Sequence, residues 1–355
     1  MRLLPLVVLL ALVGSLTSCA SREGFGLGSM SLVGPGVIND PENRSLRFAM
    51  LKFGLESFCE EMKSRGLPLK LGNDDEPVMG RFFSTACNTQ IIDEETRKSF
   101  VVQYAGMGYV TSPQGGRVGF STTGLTEYAA DFSLHKGVLY VYFRPRVVDA
   151  AGFQTLLVES QLAATALKLF GVEPNAFGRK VVEGQLRRGF TVLRHGSAGE
   201  TEFGLGLIPT GERPFRPFSI ETEKRVVVNE RTEVHRGQQD YIGPLSVDGG
   251  GQALYVTLAV DGTAAIDAQL VPEAAGRSML DAFSRTAGPA AGGAGLLDEP
   301  VARGALWKRF INVPAGKYFL VLDNSPALGR TTPPAGVADG LSARVDVLIL
   351  AGDAP

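Results

Sequence analysis

The feature that most constrains the fold is the alternation of large apolar residues with smaller or polar ones in the last third of the chain. Leu254, Val256, Leu258 and Val260 alternate with Tyr255, Thr257 and Ala259, and Val345, Val347 and Ile349 alternate with Asp346 and Leu348. A period of two matches the pleat of a strand, whose successive side chains point to opposite faces. The stretch WKRFINVPAGKYFLVLDNS adds a strand, a Pro-Ala-Gly turn and a second strand ending in the polar turn Asp323-Asn324-Ser325. Residues 217–355 therefore read as an all-β sandwich. A short helix near Ser278 to Arg285 and an Ala/Gly loop, AGPAAGGAG, interrupt it.

Residues 37–216 read as an α+β domain, an antiparallel sheet with about three helices. Asp40-Pro41-Glu42 starts the first helix, whose Leu51, Leu55, Phe58 and Met62 share one face and which Gly66 and Pro68 stop. Phe100 to Tyr109 reads as a strand. Glu127 to Leu134 and Val138 to Arg144 flank His135-Lys136-Gly137 as a three-residue hairpin with glycine in the left-handed region. In LYVYFR, Leu139, Val141 and Phe143 face one way and Tyr140 and Tyr142 the other, as in a strand covered on both faces. A second helix is expected over Gln154 to Phe170 and a third from Pro174 to Arg188, stopped by Gly189. Strands follow at Phe190 to Arg194 and Glu202 to Ile208. The proline-rich connector IPTGERPFRPF leads to a boundary near residue 216.

Two pairs of glycines stand out. Gly106 and Gly108 fall on one face of their strand, as do Gly204 and Gly206. Glycine weakens a strand, so such pairs mark a close approach to the backbone. A helix packed tightly on the sheet is one reading, and a groove for an elongated apolar ligand is the other.

The amino terminus reads MRLLPLVVLLALVGSLTSC. After Arg2, the apolar run from Leu3 to Val13 has signal-peptide length, about half of what a spanning helix needs. Leu16-Thr17-Ser18-Cys19 resembles the lipobox of bacterial lipoproteins. In that family the cysteine sulfur receives a diacylglyceryl group, a peptidase cuts before the cysteine, and the new amino terminus is acylated. The resemblance implies a signal peptide over residues 1–18, lipid on Cys19 and a place in the cell envelope, periplasmic or surface-facing. Ala20, rather than Asp, implies sorting to the outer membrane. Two or more acyl chains, each buried methylene contributing about 0.8 kcal/mol, anchor a protein without any spanning helix. Ser18-Cys19-Ala20 is also a small-x-small pattern, so an ordinary secretory leader cut after Ala20 is the alternative. Residues 19–36, rich in Gly and Ser, read as a flexible tether. Gly24, Gly26 and Gly28 within it lack the preceding strand and the spacing of a dinucleotide fingerprint. The hairpin around Pro314-Ala315-Gly316 is similar to those of bacterial pre-peptidase C-terminal domains and other small jelly-roll sandwiches.

The 355 residues suffice for two domains with cores of their own. With 35 basic and 37 acidic residues and no basic cluster, the chain does not read as a nucleic-acid binder. If lipid consumes Cys19, Cys59 and Cys87 remain as an even pair in an oxidising compartment. Their disulfide would contribute on the order of 3–4 kcal/mol in the chain-entropy model; two buried thiols are the alternative.

Catalytic signals are weak. His135, His195 and His235 have no metal-ligand companions at helical spacing, and no nucleophile elbow or phosphate loop is present. No cofactor or metal is expected. Asp323-Asn324 reads as an Asx-turn rather than a calcium site. Arg144, Arg146, Arg187 and Arg188 are basic pairs at element ends. The reading is a membrane-anchored envelope lipoprotein with a non-catalytic binding or scaffolding role and a partner among envelope proteins or lipids. The alternative is a carrier of lipid or another apolar ligand in a groove of the first domain.

Overall fold

The computed structural model describes residues 40–45, 48, 59, 63, 66–70, 73–95, 97–112, 116–150, 152–159, 174–195, 201–220, 222–293, 295–331 and 342–355. The leader, Cys19, the tether, most of the expected first helix and residues 160–173 lie outside them.

The first region is one sheet. Its strands are β1 (Leu67–Leu69), β2 (Gly80–Asp93), β3 (Lys98–Ser112), β4 (Gly116–His135), β5 (Val138–Asp149), β6 (Gln154–Val158), β7 (Phe190–His195) and β8 (Thr201–Leu205). They run antiparallel in the order β1-β2-β3-β4-β5-β7-β8, and β6 pairs with β4. The sheet curls into a half-barrel, and a helix, α1 (Pro174–Arg187), packs over it. Phe82, Phe100, Phe120, Phe143 and Phe190 supply its buried apolar face. The other face of β5 is covered too, since Tyr140 donates to the carbonyl of Glu212 and Tyr142 pairs with Thr210 of the connector.

The expectation of an α+β domain with about three helices is overturned. Among the described residues the structure is mostly β, with 59% strand, 11% helix and two helices. The segment at Gln154, expected to open a helix, is strand β6. The cause is the length of β4, 20 residues. Leu125–His135 of β4 pairs with β5, and β6 pairs with Val118–Ser121 beyond it, satisfying backbone groups there. An apolar run as short as Thr-Leu-Leu-Val fits either period. The β4–β5 hairpin also turns more tightly than expected. His135 pairs with Val138, leaving a two-residue turn with Lys136 and Gly137 both at positive φ.

The second region is a sandwich of two four-stranded antiparallel sheets. One sheet orders β10 (Gln239–Val247), β15 (Gly316–Asp323), β12 (Ala265–Pro272) and β13 (Leu297–Ala302). The other orders β14 (Leu306–Asn312), β11 (Gln252–Asp261), β16 (Ala343–Asp353) and β9 (Arg225–Val234). Leu254, Val256, Leu258, Val345, Val347 and Ile349 meet Ile266, Leu270, Leu320 and Leu322 between the sheets. A second helix, α2 (Glu273–Arg285), follows β12.

The two regions are joined by buried polar and apolar contacts. The Arg81 guanidinium of β2 holds both carboxylate oxygens of Asp240 at 2.8 Å and Glu230 at 2.6 Å. Tyr109 and Thr232 also donate to Asp240, at 2.6 and 2.9 Å. Burial pushes Asp240 toward protonation, but Arg81 outweighs it and holds the carboxyl below its ordinary range. Arg117 lies over the Phe283 ring, 3.6 Å from its centre, and donates to the carbonyls of Thr286 and Gly288 at 2.8 Å. Gly119 of β4 is pressed onto α2, where a Cβ would sit 1.9 Å from the carbonyl oxygen of Ser284.

Candidate functional site

Between the half-barrel and α1 lies a cleft of about 70 Å³. Period-two patterning aims Val102 and Tyr104 of β3 and Phe120, Thr122, Thr126 and Tyr128 of β4 at it. Val182, Gln185 and Leu186 reach it from α1, at the spacing that puts side chains on one helix face. Phe190 and Phe203 also line it, their rings 5.4 Å apart. Among the described residues none of the lining side chains is charged.

The glycines singled out in the sequence divide. Gly108 sits in register between Phe82 and Phe120. Those two rings stack across it, their centres 6.4 Å apart and their planes within 3°. A Cβ there would lie 2.9 Å from the Phe120 ring and 2.3 Å from the carbonyl of Arg81. At Gly106 a Cβ would come within 2.6 Å of the Phe82 ring. These two glycines thus give room to aromatic rings that line the cleft. Gly204 instead abuts Ile208 and Pro214 of the connector, and Gly206 leaves β8 at a φ of +79°. None of the four lines the cleft itself among the described residues.

Cys59 and Cys87 form a disulfide with Cα atoms 5.4 Å apart, and Cys87 packs in the apolar cluster beside the cleft. His195 meets Glu202 at 2.8 Å. Burial lowers the pKa of His235. His135 lies at the β4–β5 turn. Among the described residues no group of three or more His, Cys, Asp or Glu is placed to hold a metal ion.

The polar side of the cleft escaped the sequence reading. Tyr104 pairs with Gly124 across the ladder, and a Cβ on Gly124 would sit 2.5 Å from the tyrosine oxygen. Glycine therefore lets the Tyr104 hydroxyl lie on β4, with Thr122 and Thr126 on either side of that glycine. Burial pushes the Tyr104 hydroxyl up to about 12, which keeps it a neutral donor. Thr126 is near enough to favour its ionised form slightly, but no hydrogen bond of good geometry joins them. The signal was present in Thr122-x-Gly124-x-Thr126, polar and small residues on the face that carries Phe120 and Tyr128.

A second polar group lies in the sandwich. Asp323 and Asp267 face each other across the β12–β15 ladder. Asp323 accepts from the Ser325 hydroxyl and the Leu328 amide, and Asp267 from the amides of Arg330 and Thr331. Burial, with Asp267 adding, pushes Asp323 up to about 7. These carboxylates hold the loop after β15 in place. No protein-family model matches the chain, and no curated protein matches it significantly.

Proposed function

We propose that this chain is an envelope protein held at a membrane, in the outer membrane by the lipobox resemblance, through lipid on Cys19, with a non-catalytic binding role. Its half-barrel receives an apolar group, and the sandwich is a rigid support for it. The observation that carries this reading is the cleft, uncharged among its described residues, aromatic and roofed by α1. Small-molecule sites are concave and mostly apolar, with a few placed polar groups. A volume of about 70 Å³ suits the end of a chain or a small apolar group rather than a whole acyl chain.

Two measurements test the proposal. Mass analysis of membrane-extracted protein should find a lipidated amino terminus at Cys19; an unmodified terminus beginning at Ser21 refutes the anchor. An apolar fluorescent dye should bind the protein and be excluded when Val182→Phe fills the cleft. Equal binding by both proteins refutes the site.

A further inference from the structure

We infer that the cleft is built for a neutral amphiphile, an alkyl chain carrying a hydroxyl or ester oxygen, rather than for bare hydrocarbon or an ionised head. This rests on the cleft being a binding site and names what it selects. Tyr104, Thr122 and Thr126 are 7%, 1% and 1% exposed. Thr126 lies close to the Tyr104 and Tyr128 hydroxyls, but among the described residues the Tyr104, Thr122 and Thr126 hydroxyls make no hydrogen bond of good geometry. All three line the cleft. The fourth polar atom comes from α1. Gln185 donates its amide nitrogen to the carbonyl of Lys70, which can only accept, so among the described residues its oxygen has no partner.

Buried hydroxyls are costly to leave unpaired, so a site holding several is matched by a ligand that can pair with them. A ligand hydroxyl both donates and accepts, and an ester oxygen accepts. A carboxylate or phosphate would need a cation, and among the described residues two basic groups close to the cleft's lining are already paired. The Lys70 ammonium is turned to Asp74, 3.6 Å away, and Arg187 of α1 to Glu183, 3.7 Å away. The aromatic rings on either side of the threonines would hold the alkyl part.

The test compares hexane, 1-hexanol and hexanoate. Each is titrated against the full chain carrying Cys19→Ser, which keeps it free of lipid, and against the same chain with Tyr104→Phe, Thr122→Val and Thr126→Val. The expected result is that hexane affinity is kept while the hexanol-to-hexane affinity ratio falls by about tenfold or more in the variant. At about pH 8, where hexanoate is ionised, hexanol should bind more tightly than hexanoate. If the ratio is the same in both proteins, the hydroxyls serve an internal water only; the inference falls and the cleft remains a binding site. Hexanoate binding as tightly as hexanol overturns the neutral head. If neither hexane nor hexanol binds, the cleft reading falls and the inference with it. Should the triple variant not fold, Tyr104→Phe alone must move the ratio the same way, and Thr126→Ser must leave it unchanged.

Discussion

Between the two sheets of the sandwich, Leu254, Leu258, Ile266, Leu270, Leu320 and Val345 are all fully buried. Across the half-barrel, the matching layer among the described residues is α1, and its Val182, Gln185 and Leu186 leave a cleft over aromatic rings. Both regions are antiparallel β, so strand type does not explain the difference. Two sheets facing each other interdigitate side chains along their whole faces. One helix lying across a curved sheet covers a stripe of it. The polar groups differ in the same sense. The buried carboxylates of Asp240, Asp267 and Asp323 each hold several donors, while the Tyr104, Thr122 and Thr126 hydroxyls of the cleft make no hydrogen bond of good geometry among the described residues.

The largest expected effect is at the joint between the regions. Arg81→Met strands the buried Asp240 carboxylate and should cost about 3–5 kcal/mol, read by denaturant unfolding. A cost below about 1 kcal/mol would mean that the two regions do not depend on this contact.

Next comes the pH dependence of the sandwich. Asp323 titrates near 7 when folded, against an ordinary 3.8. Between those values the folded chain keeps a proton that the unfolded chain has lost, so this group's contribution to stability falls as pH rises from about 4 to about 7. The displacement corresponds to up to about 4 kcal/mol. Asp323→Asn should flatten that slope relative to the unaltered protein. Opening the Cys59–Cys87 bridge by paired serine substitution should lower stability by about 3 kcal/mol, measured by thermal unfolding.

The smallest effect sharpens the contrast most. Ala268→Leu, an enlargement in the filled sandwich, should cost about 1–3 kcal/mol, whereas Val182→Phe, an enlargement into the cleft, should cost less than about 1 kcal/mol. Equal costs would mean that the half-barrel is packed as tightly as the sandwich.

Period-two patterning made the sandwich legible in β11 and β16, whose alternate residues line the core, whereas β10, β12 and β15 are buried on both faces and carry no such signal. The β4–β5 hairpin was legible from Gly137 and its flanking apolar runs. Strand β6 was not, because its four apolar or β-branched residues fit two periods, and the choice was made by an edge of β4 distant in the chain. The joint was invisible for a related reason, since Arg81 and Asp240 are 159 positions apart. At the cleft, Gly106 and Gly108 were readable as close approaches. That Tyr104 would lie over Gly124 depends on the β3–β4 register, which patterning alone does not supply.

The most direct test of the account is organic extraction of the natively purified full chain, followed by mass spectrometry of the small molecules released, for the unaltered protein and for Val182→Phe. Apolar molecules should accompany the unaltered protein in stoichiometric amount and be depleted from the variant. Their absence from both, or equal recovery from both, would contradict the claim that the half-barrel is a binding site.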